Sequence, residues 1–270
     1  MKDGSAALSR ARTWDTFFAD DHVAEFRRSL YLAVYGNEYP AELGTDGYVT
    51  RSQLNQLAQA LQVGPGARIA DLGCGRGGPG QLIARITGAA LVGIDFSEVA
   101  LQQARDRARQ LGISDAVSYK AGTFDSTGLD PSNCDAAMSV DVIWAIPDKL
   151  AGFTETARIL KPGARFAFTD WQRDLSPPGY PAALNDHRPL LKAAGFEVEL
   201  HQVLADAETL RRAFYEKMLA RQQELISDVG EQAAQWHLRE AKAWLGLIDG
   251  VDYLKHSRRV LVAARKPERK

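Results

Sequence analysis

The sequence predicts an α/β chain: a doubly wound, mostly parallel seven-stranded sheet with an amino-terminal helical arm and a helical insertion before the last strand. Two observations carry this. From Arg68 onward, short apolar runs alternate with segments of helical apolar spacing, the order that wraps a parallel sheet on both faces. The first run ends in Asp71 and passes through the glycine-dense turn Gly73-Cys74-Gly75-Arg76-Gly77-Gly78-Pro79-Gly80 into a helical pattern. Glycines let such a turn take positive φ and leave bare backbone for a ligand, while Pro79 suits a first helical position.

Residues 1–62 read as the helical cap. Trp14, Phe17, Phe18, Val23, Phe26, Leu30, Tyr31 and Tyr35 follow helical spacing until Asn37-Glu38-Tyr39-Pro40 interrupts it. A second helix covers 50–61, and Gly64-Pro65-Gly66 leads into the first strand. The cofactor-binding core comprises 63–204 and 256–266. After the first strand and helix, 90–94 is an apolar strand closed by Asp95, and Ser97 caps a helix whose Ala100, Leu101, Ala104, Ala108 and Leu111 share one face. Strands at 116–120 and 136–140 come next. A helix over 149–160 stops at Lys161-Pro162-Gly163, before a strand at 165–169. Ala194-Gly195-Phe196 turns a further helix into a strand at 197–200, and the seventh strand is 260–264. Between them, 205–255 reads as two long helices whose apolar faces cover the pocket, the sheet or a second subunit. The tail from Lys266 is expected to fray.

Lys+Arg 33 against Asp+Glu 34 leaves a net charge of -1, so no basic field exists to attract nucleic acid. No apolar run approaches membrane-spanning length, and the polar start is unlike a signal peptide. A cytoplasmic protein with no membrane or nucleic-acid partner is expected. Cys74 and Cys134 fit no metal spacing and read as small buried filler.

The glycine turn supports two readings. Gly75, Gly77 and Gly80 spell a dinucleotide fingerprint, with Asp95 about twenty residues on. One frame earlier, Asp71, Gly73, Gly75 and Gly77 spell acid-x-Gly-x-Gly-x-Gly. A carboxylate at the strand end repels a pyrophosphate but accepts hydrogen bonds from an ammonium group, which favours a nucleoside carrying an amino acid. The pattern resembles the first motif of the class I S-adenosylmethionine-dependent methyltransferases, small-molecule natural-product type. Gly-Arg-Gly-Gly-Pro-Gly, Thr127-Gly128-Leu129 and the start of the last strand at Lys255-His256-Ser257-Arg258-Arg259-Val260 add to the likeness.

The resemblance implies a Rossmann-like fold, S-adenosyl-L-methionine as cofactor with S-adenosyl-L-homocysteine as product, no metal, and methyl transfer to N, O or C of a largely hydrophobic or aromatic small molecule. It implies that Gly73, Cys74 and Gly75 offer backbone to the cofactor, that Asp95 holds the ribose hydroxyls and that Phe96 lies against adenine. Thr123 stands where many members carry an Asp for the adenine amino group, leaving recognition to main chain and to stacking by Phe124. Ser139, Val140 and Asp141 pass beneath the methionine moiety. Tyr48 and Thr50 occupy the region that meets the methionine carboxylate, with Arg51 or Arg76 as possible charge; Thr50 equally reads as a helix cap. Trp14, Phe18, Trp144 and Trp171 are expected to line the acceptor pocket. Trp144 and Ala145 replace a His pair, one of which supplies a general base in several relatives, which leaves Asp170 and His187 as catalytic candidates. Each also reads as structural. A cyclase or pericyclase retaining the cofactor, an NAD-dependent oxidoreductase and a non-enzymatic binding protein are the alternatives; Asp71 opposes the oxidoreductase. Homo-oligomerisation through the carboxy-terminal helices is an expectation.

Overall fold

The inner strands of the sheet are apolar almost throughout because helices cover both of their faces. The computed structural model describes residues 14–19, 21–45 and 47–268. Strands β1 (Arg68–Leu72), β2 (Ala90–Asp95), β3 (Val117–Ala121), β4 (Cys134–Val140), β5 (Leu160–Arg173), β6 (Glu197–Val203) and β7 (Ser257–Arg265) form one sheet in the order β3-β2-β1-β4-β5-β7-β6. The first five strands pair in parallel, and β7 lies antiparallel between β5 and β6. The winding direction reverses between β1 and β4, so a crevice opens at the carboxyl ends of these strands.

Nine helices are described: α1 (Asp21–Tyr35), α2 (Arg51–Leu61), α3 (Gly78–Thr87), α4 (Glu98–Gln110), α5 (Lys149–Ile159), α6 (Arg188–Ala193), α7 (Ala207–Ala220), α8 (Gln222–Val229) and α9 (Glu231–Trp244). Residues 14–19 form a further helical stretch. Ser97 caps α4 by accepting from Ala100 N at 3.2 Å, and Asp148 caps α5 by accepting from Ala151 N at 2.9 Å. On one sheet face Phe166 and Phe168 pack with Phe153 of α5 and Leu191 of α6. On the other, Leu54 and Leu57 of α2 and Ile83 of α3 cover Ile69 and Leu261. A third core lies off the sheet, where Phe26, Leu30 and Tyr31 of α1 meet Phe214, Met218, Leu225, Leu238 and Trp244 of α7 to α9.

Two elements differ from expectation. The insertion holds three helices, because Arg221 and then Gly230, at φ 81°, interrupt an apolar periodicity that continues across both breaks. Strand β5 is far longer than 165–169, since it pairs with β7 from Arg165 to Arg173. Lys161-Pro162-Gly163 does not precede it but forms an irregularity inside it, where the register to β4 jumps from Leu160 to Arg165. Arg269 and Lys270 of the tail lie outside the described residues, as do residues 1–13 of the cap. Among the described residues no helix is long and apolar enough to cross a membrane.

Candidate functional site

Gly73, Gly75 and Gly77 take φ of 73°, 50° and 77°, so the turn after β1 curls back onto the end of β2. Gly73 N and Cys74 N donate to Ile94 O at 2.8 and 3.0 Å, and Gly75 N donates to Asp95 Oδ2 at 2.9 Å. Side chains are excluded here: a Cβ on Gly73 would lie 2.5 Å from Val142 Cγ1. Asp95 Oδ1 accepts from Ser97 N at 2.9 Å, which aims the carboxylate while each oxygen keeps capacity for a second donor. Burial raises the Asp95 carboxyl above the usual range, against the pull of the Ser97 and Gly75 N–H groups. Phe96 beside it is 39% exposed, a large apolar ring left open next to this acid.

Asp71 lies beneath the turn. It is 2% exposed, its Oδ2 has no partner among the described residues, and a Cβ on Gly80 would come within 2.3 Å of that oxygen. The carboxylate therefore faces the first turn of α3, at the positive end of the helix, and not the open cleft. Burial, with a smaller contribution from Asp95, pushes its pKa to about 7.

A raised carboxyl pKa means that the ligand-free fold holds a proton that the unfolded chain has released, so this group's contribution to stability falls as pH rises from about 4 to about 7. A cationic ligand above the loop favours the ionised form. S-adenosylhomocysteine affinity is expected to climb roughly tenfold between about pH 5 and about pH 7, and D71N to abolish that climb. Calorimetric titrations across this range check it; parallel profiles for both proteins would remove the role.

Several expected ligands are engaged elsewhere. Thr50 Oγ1 accepts from Gln53 N and its own N donates to Gln53 Oε1, both at 3.2 Å, so Thr50 is the cap of α2. Arg51 pairs with Glu42 on the surface. Thr123 Oγ1 donates to Asp125 Oδ1 at 2.6 Å, and Phe124 is buried against Phe166 and Gly152, where it cannot stack on adenine. Cys74 is buried, with its sulfur beside Gly93. Phe18 lies at the glycine turn: Phe18 O accepts from Arg76 Nη2 at 2.8 Å and Gln103 Nε2 at 3.0 Å, and its ring lies over Gly75, while Trp14 packs on Phe17 and Phe18.

At the ends of β4 and β5, Ser139 Oγ donates to Leu72 O at 2.8 Å and ties β4 to β1. Asp141, after Val140, takes φ 59° and donates its N–H to Thr169 O at 2.9 Å. Its carboxylate meets Arg259 Nη2 at 2.7 and 2.9 Å, so only the backbone of Asp141 is left for a ligand. Asp170 and His187 do come together, with His187 Nε2 2.9 Å from Asp170 Oδ2. Yet Asp170 Oδ1 accepts from Trp144 N at 3.2 Å, Gln172 Nε2 lies 3.0 Å from His187 Nδ1, and the His187 ring packs edge-on against Phe153 and Phe168. Both residues are fully buried. Together they brace the end of β5 and the Trp144 backbone.

Beyond this brace lies an aromatic cluster. The Tyr48 ring meets Trp171 and Phe214 edge-on at 5.7 Å each, and Trp144 Nε1 donates to Asp141 O at 2.9 Å. Arg211 of α7 lies 4.0 Å from the Trp244 centroid and 4.6 Å from that of Trp171. Arg173, Arg211, Trp244 and Arg259 were not anticipated. One signal was present: Arg211 falls on the apolar stripe of Ala207, Phe214 and Met218, where an arginine is out of place.

A doubly wound sheet with a bare glycine turn and an acid at the next strand end defines a nucleotide-cofactor-binding α/β protein. Residues 64–240 match the family model of a methyltransferase domain, and the chain belongs to that family. The match removes the oxidoreductase alternative. The chain is 32% identical over 161 residues to the methyltransferase phqN of Penicillium fellutanum, covering 53% of this chain and 49% of phqN. It spans half the length or less of the curated relatives it matches. Its fold is similar to that of a protein described as a sarcosine dimethylglycine methyltransferase from Galdieria sulphuraria, with a TM-score of 0.71 and 21% identity over 93% of this chain and 99% of that one. The cyclase SpnF is also similar, with a TM-score of 0.70 and 23% identity over 81% and 82%.

Proposed function

We propose that the chain binds S-adenosylmethionine across the carboxyl ends of β1, β2 and β4 and directs its methyl group to an N, O or C atom of a small, largely aromatic acceptor at the cluster of Tyr48, Trp144 and Trp171. The supporting observation is the glycine turn docked on Asp95, whose two oxygens are aimed by backbone N–H groups and still open to ribose hydroxyls. The buried, unpartnered Asp71 below the turn fits a ligand that carries positive charge. When bound, the cofactor supplies an electrophilic methyl on a cationic sulfur.

The chain's residues then act by positioning. The backbone of the glycine turn and Asp95 would hold the cofactor, and Tyr48, Trp144 and Trp171 would hold the acceptor against it, with any displaced acceptor proton passing to solvent. Holding acceptor atom, methyl and sulfur collinear lowers the barrier, and the faces of Trp144 and Trp171 orient a flat acceptor. Since Asp170 and His187 are sealed behind the aromatic cluster, H187Q is expected to lower the melting temperature while leaving kcat within about threefold, well short of the loss that removal of a general base produces. A loss of about a hundredfold or more with an altered pH profile would restore His187 as a base.

The test of the activity is titration with S-adenosylhomocysteine and with NADH, followed by product mass in acceptor screens. Saturable binding of the first alone, with a product heavier by one methyl, is expected. Cofactor binding with a cyclised product of unchanged mass would favour a cyclase that retains the cofactor as a structural ligand. The sealed acid–histidine pair is compatible with that second reading. The balanced charge and composition fit a cytoplasmic setting without nucleic-acid partners.

A further inference from the structure

The aromatic cluster carries two buried guanidinium groups with too few acceptors. Arg173, the last residue of β5, is 3% exposed and makes no side-chain hydrogen bond or ion pair among the described residues; its Nε is buried and unpartnered. Its guanidinium lies 6.0 Å from the Trp144 centroid and 5.8 Å from that of Trp244. Arg211, 6% exposed, touches the same Trp244 ring; its Nη2 donates to Tyr215 OH at 3.1 Å, and its Nε has no partner. The indole Nε1 of Trp171 is buried without an acceptor as well, whereas that of Trp244 has the Tyr180 side chain as a partner.

The neighbouring acids are committed. Asp170 is held by His187 and Trp144 N, Asp141 by Arg259, and Glu240 accepts from Tyr215 OH at 3.1 Å with Arg27 at 3.7 Å. Aromatic faces offset part of the cost of burying a cation. They satisfy the charge above the ring but leave the in-plane N–H donors of the guanidinium unmet. Two like charges side by side, with three unpartnered donors between two arginines and the Trp171 indole, are expensive for a protein that does not use them.

We propose that Arg173 and Arg211, with the indole N–H group of Trp171, form a site for an oxyanion, a carboxylate or phosphate, carried by the methyl acceptor. The inference rests on the methyltransferase reading of the cluster and deepens it: the acceptor is a flat or apolar molecule with an anionic end. The anion takes the guanidinium edges, the aromatic rings keep the guanidinium faces, and the apolar body lies along Trp144 and Tyr48. Bidentate binding by arginine suits both oxyanions.

The test uses the full chain saturated with S-adenosylhomocysteine, at constant ionic strength, titrated with benzoate, phenyl phosphate and neutral benzamide while tryptophan fluorescence is read. At least one anion is expected to bind tenfold or more tightly than benzamide, and the better of the two identifies carboxylate or phosphate. R173Q and R211Q are each expected to weaken that anion tenfold or more, with S-adenosylhomocysteine affinity within twofold of the parent and partial rescue by R173K. Because removal of an uncompensated buried charge relieves the free protein, R173Q is also expected to raise the ligand-free melting temperature by about 2–4 °C, where a purely structural arginine would lower it. Should R211Q fail to fold, R173Q alone decides. Equal binding of benzamide, no saturable binding of either anion, or anion binding untouched by R173Q would each overturn the site. Failure of S-adenosylhomocysteine to bind the parent protein would instead overturn the cofactor reading.

Discussion

Replacing Asp95 with alanine is expected to weaken S-adenosylhomocysteine binding by roughly a hundredfold or more. Each hydrogen bond from a ribose hydroxyl to a carboxylate contributes about 1.5–3 kcal/mol, and two of them correspond to roughly 10²- to 10⁴-fold in affinity. The carboxylate does a second task, since it holds Gly75 N and Ser97 N at 2.9 Å and so joins the glycine turn to the start of α4. D95A leaves those two donors unmet, and the turn loses the acceptor that fixes its curvature. D95N keeps the shape but exchanges one acceptor for a donor, and is expected to fall between the parent and D95A. Calorimetric titration checks the series, with melting curves to show that each variant is folded. A folded D95A protein that binds the ligand within tenfold of the parent would detach Asp95 from the cofactor.

Replacing Arg259 with methionine is expected to destabilise the protein by about 3–5 kcal/mol, the cost of leaving a buried partner charge uncompensated. For a chain of this size that is a fall in melting temperature on the order of 10 °C. Arg259 is 1% exposed and joins Asp141, after β4, to β7 through two contacts of 2.7 and 2.9 Å. Burial already raises the Asp141 carboxyl above the usual range, and Arg259 is what restrains it. Without the guanidinium that carboxyl rises further and takes up a proton in the folded state. The penalty is then smallest in acid, where Asp141 is neutral in both states, and grows as pH rises through the folded pKa. D141N in the R259M background is expected to recover much of the loss, because it removes the stranded charge. Thermal melts of the two single variants and the double variant form the cycle, and an unchanged melting temperature in R259M would exclude the pair as an anchor for the loop after β4.

The elements that could be read from the chain are those whose causes lie within a few residues. The turn at Gly73, Gly75 and Gly77 needs positive φ at each, Ser97 caps the helix that begins beside it, and the apolar runs of β1, β2 and β4 are buried from both sides. The pairing of Asp170 with His187 was legible only as two candidates near one strand end, and their enclosure by Phe153 and Phe168 was not. Phe124 reads as a ring that stacks on adenine, yet Gly152 opens a place for it in the core.

By itself, then, the sequence determined the strand–turn–helix around the glycine turn, the acid that follows it and the helical character of the arm and the insertion. The tertiary structure alone decided what meets across the carboxyl ends of the strands. Arg259 reaches an acid 118 positions away, and Arg173 and Arg211 share the face of Trp244 although they lie on different elements. The physical reason is range: periodicity, caps and turns act over three or four residues along the backbone, whereas the partner of a buried charge is set by which segments the sheet order brings side by side.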